Sequence, residues 1–183
     1  LGTLKKDKKH VVLTKAQSDA VEQISNGKGT FLLHGVTGSG KTEIYESVIE
    51  REIAKGRTAI MLVPEISLTP QMLGLFRARF GDDVAILHSG LNDSERYDEW
   101  KRLKTGAAHI AIGARSAVFA PLENIGAIII DEEHDTSYLS ESNPRYDTKT
   151  IADFRAKAND GVLVLGSATP DMETYLKATE GEY

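Results

Sequence analysis

The residue types that bind phosphate are concentrated in one segment of the chain, Gly35-Val36-Thr37-Gly38-Ser39-Gly40-Lys41-Thr42. Glycines allow main-chain N–H groups to turn inward around an anion without Cβ clashes. At this spacing the lysine reaches the β- and γ-phosphates of a nucleotide, and the hydroxyl that follows it binds Mg²⁺. We therefore predict a nucleotide site, with a glycine-rich turn that binds nothing as the alternative. The predicted nucleotide contacts here are Gly35, Thr37, Gly38, Ser39, Gly40, Lys41 and Thr42.

An acidic segment supplies the second group of candidate residues. The apolar run Ile128-Ile129-Ile130 leads into Asp131 and Glu132. Asp131 is placed to bind Mg²⁺ opposite Thr42, directly or through water. Glu132 is placed to orient and deprotonate a water molecule that attacks the γ-phosphate. An acidic group after a strand is often only a solvated turn, but the upstream phosphate loop favours the catalytic interpretation, with Lys41, Asp131 and Glu132 as catalytic residues.

A zinc site is not expected in this chain. His134 follows the acidic residues, but neither an HExxH pattern nor a Cys/His cluster is present, and the chain contains no cysteine. His134 is either a hydrogen-bonded structural histidine or a polar link between the hydrolysis site and Ser167 or Thr169. The sequence leaves both roles open.

Strands and helices alternate along the chain and position these segments. Apolar runs predict buried strands at residues 31–33, 58–63, 84–87, 109–112, 127–130 and 162–165, with amphipathic helices between them. Such strands are typical of a mostly parallel sheet with helices on both faces. The predicted fold class is therefore α/β. Each polar cluster directly follows a strand, so the clusters are expected to meet at the carboxyl edge of the sheet, where ligands bind.

Local signals predict helix boundaries. Thr14 with Gln17, and Asn92 with Glu95, have the spacing of helix N-terminal capping pairs. Three glycines are placed to end helices: Gly56, Gly81 and Gly106.

Two segments have weaker signals. Residues 136–147 lack clear periodicity and are predicted as a loop, and a last helix is predicted from Asp171. Residues 1–12 include a basic run and are predicted as a linker, whereas residues 13–183 form one domain.

Composition limits the functions that the chain can have. The 183 residues suffice for one sizeable domain, and the absence of cysteine excludes disulfides and thiolate metal sites and fits a reducing cytoplasm. No membrane span is expected. With a net charge of −5, any nucleic-acid contact is expected to be local. The chain begins with Leu1 rather than methionine, which favours an excised fragment.

Three motifs, GVTGSGKT, DEEH and GSATP, resemble motifs I, II and III of superfamily 2 helicases in order and spacing. The segments LTKAQ, LVPEISLTPQ and GARSA fall where that superfamily has its adenine-recognition and DNA-contact motifs. The wording of LVPEISLTPQ, LHSGL, ARSAVFAP and IIIDEEHDTSY resembles the primosomal protein N′ family of bacterial replication-restart helicases. The resemblance covers about residues 13–179.

The resemblance implies a RecA-like motor lobe of an ATP-driven 3′-to-5′ DNA helicase that acts at stalled replication forks in the bacterial cytoplasm, associated with the nucleoid. The implied cofactors are ATP and Mg²⁺. The implied partners are forked and single-stranded DNA, other primosome proteins and single-strand-binding proteins.

The resemblance also implies roles for individual residues. Gln17 would contact adenine, and Ser167 and Thr169, together with His134, would couple the ATP state to the grip on DNA. Residues 138–146 correspond to an aromatic-rich loop that senses single-stranded DNA. The implied DNA contacts are Pro64, Glu65, Arg115, Ser116, Tyr138, Arg145 and Tyr146.

The chain departs from this family in three respects. Asn143-Pro144 replaces a bulkier aromatic segment in the loop, and Ala114 stands where the family often has threonine. The second RecA-like lobe, which carries an arginine finger worth about 10³–10⁵ in rate, is absent from these residues. The lobe is therefore expected to bind Mg·ATP but to hydrolyse it weakly or not at all.

Other functions remain open. The chain could belong to a superfamily 2 translocase that moves on double-stranded DNA, or it could be a nucleotide-gated docking module for primosome proteins. A small-molecule kinase is disfavoured because GSATP and DEEH have no evident role in one.

Overall fold

The computed structural model describes residues 12–35, 39–140, 145–168 and 175–179. Seven strands of the described residues form its main sheet: β1 (Gly29–Gly35), β2 (Thr58–Leu62), β3 (Val84–Leu87), β4 (Ile110–Gly113), β5 (Ile125–Ile130), β8 (Val162–Ala168) and β9 (Tyr175–Thr179). Their order across the sheet is β3-β4-β2-β5-β8-β1-β9. The first six in this order are parallel, and β9 is antiparallel to β1.

Within the described ranges, five α-helices cover both faces of the sheet. They are α1 (Lys15–Asn26), α2 (Ser39–Ala54), α3 (Pro70–Phe80), α4 (Asp93–Thr105) and α5 (Thr148–Ala158). Helices α1, α2 and α3 pack on one face, and α4 and α5 pack on the other. The sequence of β5 does not alternate between apolar and polar residues, because both of its faces are buried. Ile129 packs in the core on the side of α1, α2 and α3, whereas Ile128 and Ile130 pack in the core on the side of α4 and α5. An apolar residue is therefore needed at every position.

The predicted helix N-termini are confirmed. At α1, the Thr14 N–H donates to Gln17 Oε1 over 2.8 Å, and the Gln17 N–H donates to Thr14 Oγ1 over 3.2 Å. Asn92 and Glu95 make the same reciprocal pair at α4. Gly106 follows α4 with φ +80°, a left-handed conformation that favours glycine.

The predicted helix from Asp171 is wrong for residues 175–179, which form strand β9. This strand pairs with β1 from Thr30↔Thr179 to His34↔Tyr175. Without it, β1 would be an edge strand with a row of unpaired main-chain groups. Strand β9 is stabilised by hydrogen bonds to β1, which is distant in sequence, so the local sequence does not predict a strand here.

In the predicted loop 136–147, the described residues 136–140 and 145–147 include regular structure. They contain a 3₁₀ turn, Thr136–Tyr138, and a small antiparallel ladder of β6 (Leu139–Ser140) and β7 (Tyr146–Asp147). Among the described residues, no helix is long and apolar enough to cross a membrane.

Candidate nucleotide and nucleic-acid sites

Lys41 of the phosphate loop contacts the acidic segment that begins at Asp131. It lies in the first turn of α2 with 4% of its side chain exposed. Its Nζ is 3.1 Å from Glu132 Oε1 and 3.6 Å from Asp131 Oδ1. A buried ammonium group requires an anionic partner, and these two carboxylates provide it. The phosphate loop and the acidic segment therefore meet at one site.

Asp131 is held by three hydrogen bonds from the protein. Its N–H donates to the carbonyl oxygen of Leu62 over 2.9 Å, and the Tyr45 hydroxyl donates to Asp131 Oδ1 over 2.8 Å. The Tyr138 hydroxyl donates to the Asp131 carbonyl oxygen. Burial, reinforced by the charge of Asp131, raises the pKa of both tyrosines well above the ordinary value. Both phenols therefore stay protonated and remain donors.

The main chain of the acidic segment is bent and fastened. Glu132 has φ +50°, a left-handed conformation that costs about 1–3 kcal/mol for a residue with a side chain. The Asp135 N–H donates to the Glu132 carbonyl over 2.9 Å, and the Glu133 N–H donates to the Gly166 carbonyl over 2.9 Å. Glu133 also pairs with Lys149 Nζ at 2.7 Å. These contacts hold the bend that brings the Glu132 carboxylate to Lys41.

The described part of the phosphate loop lies at the predicted junction of strand and helix. Gly35 is the last residue of β1, and Ser39, Gly40, Lys41 and Thr42 are the first residues of α2. Thr37 and Gly38, which were also predicted to contact phosphate, lie outside the described residues.

Gln17 lies against the start of α2. Its Nε2 donates to the Gly40 carbonyl over 3.2 Å and to Glu43 Oε2 over 3.3 Å, while its Oε1 caps α1. The amide that was predicted to contact adenine is therefore beside the phosphate loop.

The donor set fits Mg²⁺ rather than a fully protein-bound metal. Among the described residues, no group of three or more His, Asp or Glu side chains could hold a metal ion. Mg²⁺ is usually bound by one or two carboxylates together with substrate phosphates and water. Asp131 and the Thr42 hydroxyl are the oxygen donors that would hold it, and the ion would neutralise charge on the phosphates.

The residues predicted to couple the sites are only partly described. Ser167 is half-buried in β8, paired in register with His34, and Thr169 lies outside the described residues. His134 is 61% exposed, with its Nε2 3.8 Å from Glu132 Oε2. The described link between the acidic segment and β8 is the main-chain hydrogen bond from Glu133 to Gly166.

A cavity of about 750 Å³ lies beyond the carboxyl ends of β2, β3 and β4. Four predicted DNA contacts line it: Glu65, Arg115, Ser116 and Tyr146. Glu65 Oε1 accepts from the Ser89 N–H over 3.0 Å and so ties together the loops that follow β2 and β3. Arg115 Nη1 donates to the Leu139 carbonyl over 3.1 Å, which anchors the guanidinium at the wall. We call this cavity the cleft.

The other three predicted DNA contacts do not line the cleft. Pro64 is buried, and its carbonyl accepts from Ser67 in a turn, whereas Arg145 is exposed. Tyr138 is only 1% exposed. Its ring is enclosed by the core and its hydroxyl is bonded to main-chain carbonyls, so it does not suit the predicted contact with DNA.

Sequence reasoning gave no DNA role to Arg96, Trp100 and Phe119, which also line the cleft. Trp100 lies on α4 and is 37% exposed. Phe119 is 45% exposed and packs edge-on against Tyr146, with ring centroids 5.2 Å apart. A partly exposed tryptophan beside a polar loop often marks a binding surface. The helical spacing of apolar residues does not reveal it, because the same spacing is typical of a core position.

Comparison with known proteins gives consistent results. The profile of the DEAD/DEAH box helicase family matches residues 14–178. Replication restart protein PriA of Bacillus subtilis (strain 168) is 54% identical over 176 residues, which are 93% of this chain and 22% of that protein. The PriA of Helicobacter pylori (strain ATCC 700392 / 26695) is 36% identical over 164 residues, or 90% of this chain and 26% of that protein. The chain thus spans about a quarter of the length of these relatives.

Solved structures share the fold. RecG bound to a three-way DNA junction superimposes with a TM-score of 0.59 at 24% identity, covering 86% of this chain and 21% of that one. The UvsW helicase from bacteriophage T4 gives 0.60 at 16% identity, covering 85% and 52%. These likenesses confirm the predicted α/β fold of the RecA-like type. The chain belongs to the DEAD/DEAH box helicase family, and it matches the helicase lobe of replication restart proteins of the PriA type.

Proposed function

We propose that this chain is the ATP-binding motor lobe of a 3′-to-5′ DNA helicase that restarts stalled replication forks. The observation that carries the proposal is the buried Lys41 Nζ between the carboxylates of Asp131 and Glu132, at the end of β5 and beside the phosphate loop. The match to PriA replication restart proteins from several bacteria supports the wider biological role.

The geometry supports an exchange of partners at Lys41 when ATP binds. In the described structure, the ammonium group pairs with both Asp131 and Glu132. Phosphate oxygens would compete for Lys41 and release Glu132 to accept a proton from the attacking water. Asp131, fixed by the Tyr45 hydroxyl, would hold Mg²⁺ together with Thr42. Hydrolysis would then depend on the same acidic residues that contact the buried Lys41.

Single-stranded DNA is the proposed occupant of the cleft. Arg96 and Arg115 supply positive charge for phosphates, and Trp100, Phe119 and Tyr146 supply rings on which bases can stack. The net charge of −5 limits binding to such a local arrangement.

One short segment connects the cleft to the nucleotide site. The carbonyls of Ser137 and Leu139 accept hydrogen bonds from Arg115 at the cleft wall. Between them, the Tyr138 hydroxyl donates to the Asp131 carbonyl. A shift of Arg115 on binding DNA would therefore be transmitted to Asp131, which gives Tyr138 a coupling role instead of a base-contact role.

The remaining parts of the proposal concern the longer protein. We infer partners among forked DNA, single-strand-binding proteins and other primosome proteins, in the bacterial cytoplasm at the nucleoid. The support is the similarity to replication restart proteins of the PriA type, of whose length this chain spans 20–26%. An arginine finger from a second lobe would supply about 10³–10⁵ in rate, so the lobe alone is expected to be a weak ATPase.

The test is Mg²⁺-dependent ATP hydrolysis by this chain, with and without single-stranded DNA, beside a Lys41→Ala control. ATP binding that is lost in Lys41→Ala, with near-background turnover, would support an incomplete motor lobe. Brisk turnover that depends on both DNA and Lys41 would contradict the proposed need for a second lobe. Absence of ATP binding by the folded chain would contradict the nucleotide site itself.

A further inference from the structure

Tyr45 lies where α2, the end of β5 and strand β8 meet. It is one helical turn beyond Lys41 on α2, so both side chains project toward the end of β5. The ring is completely buried, and its hydroxyl donates to Asp131 Oδ1 over 2.8 Å. Asp131 Oδ1 is also the oxygen that lies 3.6 Å from Lys41 Nζ. The phenol therefore contacts the carboxylate on which the proposed metal site depends.

Gly166 leaves the space that the Tyr45 hydroxyl occupies. A Cβ atom on Gly166 would lie 1.7 Å from the Tyr45 hydroxyl oxygen and 3.0 Å from Asp131 Oδ1. The carbonyl of the same glycine accepts the Glu133 N–H over 2.9 Å. Gly166 of β8 therefore lies against the Tyr45 hydroxyl on one side, and its carbonyl is bonded to the acidic segment.

A purely structural role is the simpler account of a buried tyrosine, because a buried hydroxyl needs a hydrogen-bond partner. The group that accepts the hydrogen bond distinguishes this structural role from a role in orienting the carboxylate. A main-chain carbonyl would satisfy the hydroxyl equally well, as the Leu62 and Asp131 carbonyls do for Tyr138. Tyr45 instead fixes one carboxylate oxygen, and partners of metal-binding carboxylates set their orientation and affinity.

We propose that Tyr45 is a positioning residue that orients the Asp131 carboxylate for its metal ion and, through its contact with Gly166, makes that orientation depend on the position of β8. This rests on the proposed nucleotide function, in which Asp131 holds Mg²⁺. Because β8 contains the predicted coupling residue Ser167, a displacement of this strand would turn or release the carboxylate.

The first experiment measures metal affinity rather than turnover. The chain saturated with ATP is titrated with Mn²⁺, and free Mn²⁺ is followed by its electron paramagnetic resonance signal. Tyr45→Phe removes only the hydroxyl, so Mn²⁺ affinity should fall roughly 10-fold, the lower end of the range for such partners. ATP affinity in the presence of EDTA should not change. A Tyr45→Phe variant with normal Mn²⁺ affinity would overturn the proposal.

Thr58→Val is the control. It removes a buried hydroxyl that donates to the Glu123 carbonyl over 2.8 Å, at the start of β2 and so at the opposite edge of the sheet from Asp131. It should lower the melting temperature and leave Mn²⁺ affinity unchanged. Equal losses of Mn²⁺ affinity in the two variants would show a general loosening of the fold and would overturn a specific role for Tyr45.

Gly166→Ala tests the link to β8 independently. In the parent background, the methyl group must displace the Tyr45 hydroxyl, so Mn²⁺ affinity should fall as in Tyr45→Phe. In the Tyr45→Phe background, the same substitution should have a smaller further effect, because the 1.7 Å clash with the hydroxyl is gone and the remaining approaches, 2.9 Å to the ring Cζ and 3.0 Å to Asp131 Oδ1, are milder. Additive losses would overturn the link. If the parent chain itself binds no Mn²⁺ with ATP, the proposed function fails, which is distinct from failure of Tyr45 alone.

Discussion

At the scale of single residues, the proposed nucleotide site is centred on Lys41. Its side chain is 4% exposed, and its ammonium group contacts the two carboxylates to which the proposed hydrolysis assigns other roles. If phosphate competes with them for Lys41, as proposed, removing one of these charges should slow hydrolysis and strengthen phosphate binding. Two predictions belong to this scale.

Glu132→Gln should abolish most of the hydrolysis that the chain retains while binding ATP at least as tightly. Loss of a general base costs about 10²–10⁴ in rate. Loss of the charge also frees Lys41 from a competitor 3.1 Å away. ATP affinity can be measured with a fluorescent analogue, and residual hydrolysis under single-turnover conditions. Glu133→Gln is the matched control, because Glu133 pairs with Lys149 and not with Lys41. Weaker ATP binding by Glu132→Gln would contradict the competition.

Tyr146→Ala should weaken binding of a short single-stranded oligonucleotide, because base stacking on an aromatic ring is worth about 1–3 kcal/mol. Fluorescence anisotropy with a labelled oligonucleotide would measure the change. Tyr97→Ala is the control, since Tyr97 is 64% exposed on α4 but does not line the cleft. Equal effects of the two substitutions would argue against the cleft as the binding site.

At the scale of elements, α2 connects the nucleotide site to the rest of the fold. Its first turn carries Lys41, and its outer side pairs with α3 through Arg79. Arg79 Nε is 2.8 Å from Glu50 Oε1 and 3.7 Å from Glu46 Oε2. Burial raises the pKa of Glu46 from 4.5, although Arg79 opposes the shift. The ionised carboxylate of Glu46 therefore destabilises the folded chain at the contact between α2 and α3.

Glu46→Gln should raise the melting temperature more at pH 7 than at pH 4. Since the folded state has the higher pKa, it binds more protons than the unfolded state just above pH 4.5. Stability is then lost as pH rises from the unfolded pKa through the folded pKa, and glutamine removes this loss. Melting curves from pH 4 to pH 8 would measure the difference. Glu50→Gln should give no such gain, because Glu50 is 41% exposed and makes the shorter contact with Arg79.

Elements with local signals were predicted well from the sequence. The α1 and α4 caps act within four residues, and the strand Val84–Leu87 was predicted with its observed bounds. Strands β1 and β8 are longer than predicted, because polar residues such as His34 and Ser167 continue the main-chain ladder. Strand β9 was missed because its stability comes from a partner far away in sequence.

Candidate site residues that belong to sequence motifs were predicted from the sequence. Those whose role depends on tertiary packing were missed. Lys41, Asp131 and Glu132 follow from spacing, and they do meet. Tyr45 and Trp100 occupy helix positions that look like ordinary core positions, and only the fold shows what they face. Tyr138 was assigned to DNA because its loop resembled a DNA-sensing loop, yet its ring belongs to the core.

At the scale of the whole molecule, one sheet edge carries both sites. The phosphate loop follows β1 and the acidic segment follows β5, whereas the cleft is built by the loops after β2, β3 and β4. Because β2 and β5 are neighbours, the two sites share a rigid boundary. An acidic protein with a confined basic cleft should show a distinctive dependence of DNA binding on salt.

Binding of single-stranded DNA should depend only weakly on salt. Two arginines, Arg96 and Arg115, are the permanently cationic residues among those described as lining the cleft. Two phosphate contacts give a slope of about −1.4 for log affinity against log salt concentration. Arg96→Gln should reduce the slope by about 0.7 and leave ATP binding unchanged. A slope several times steeper would place the main DNA contacts outside the cleft.

Trp100 is the single tryptophan of the sequence, and it lines the cleft with 37% of its surface exposed. Almost all fluorescence excited at the red edge of protein absorption therefore originates at one wall of this cavity. The unlabelled chain carries its own optical reporter: a base stacked on the indole would quench the emission, whereas events confined to the phosphate loop would leave it unchanged. Occupancy of the cleft could thus be followed independently of the phosphate loop, without attaching a dye.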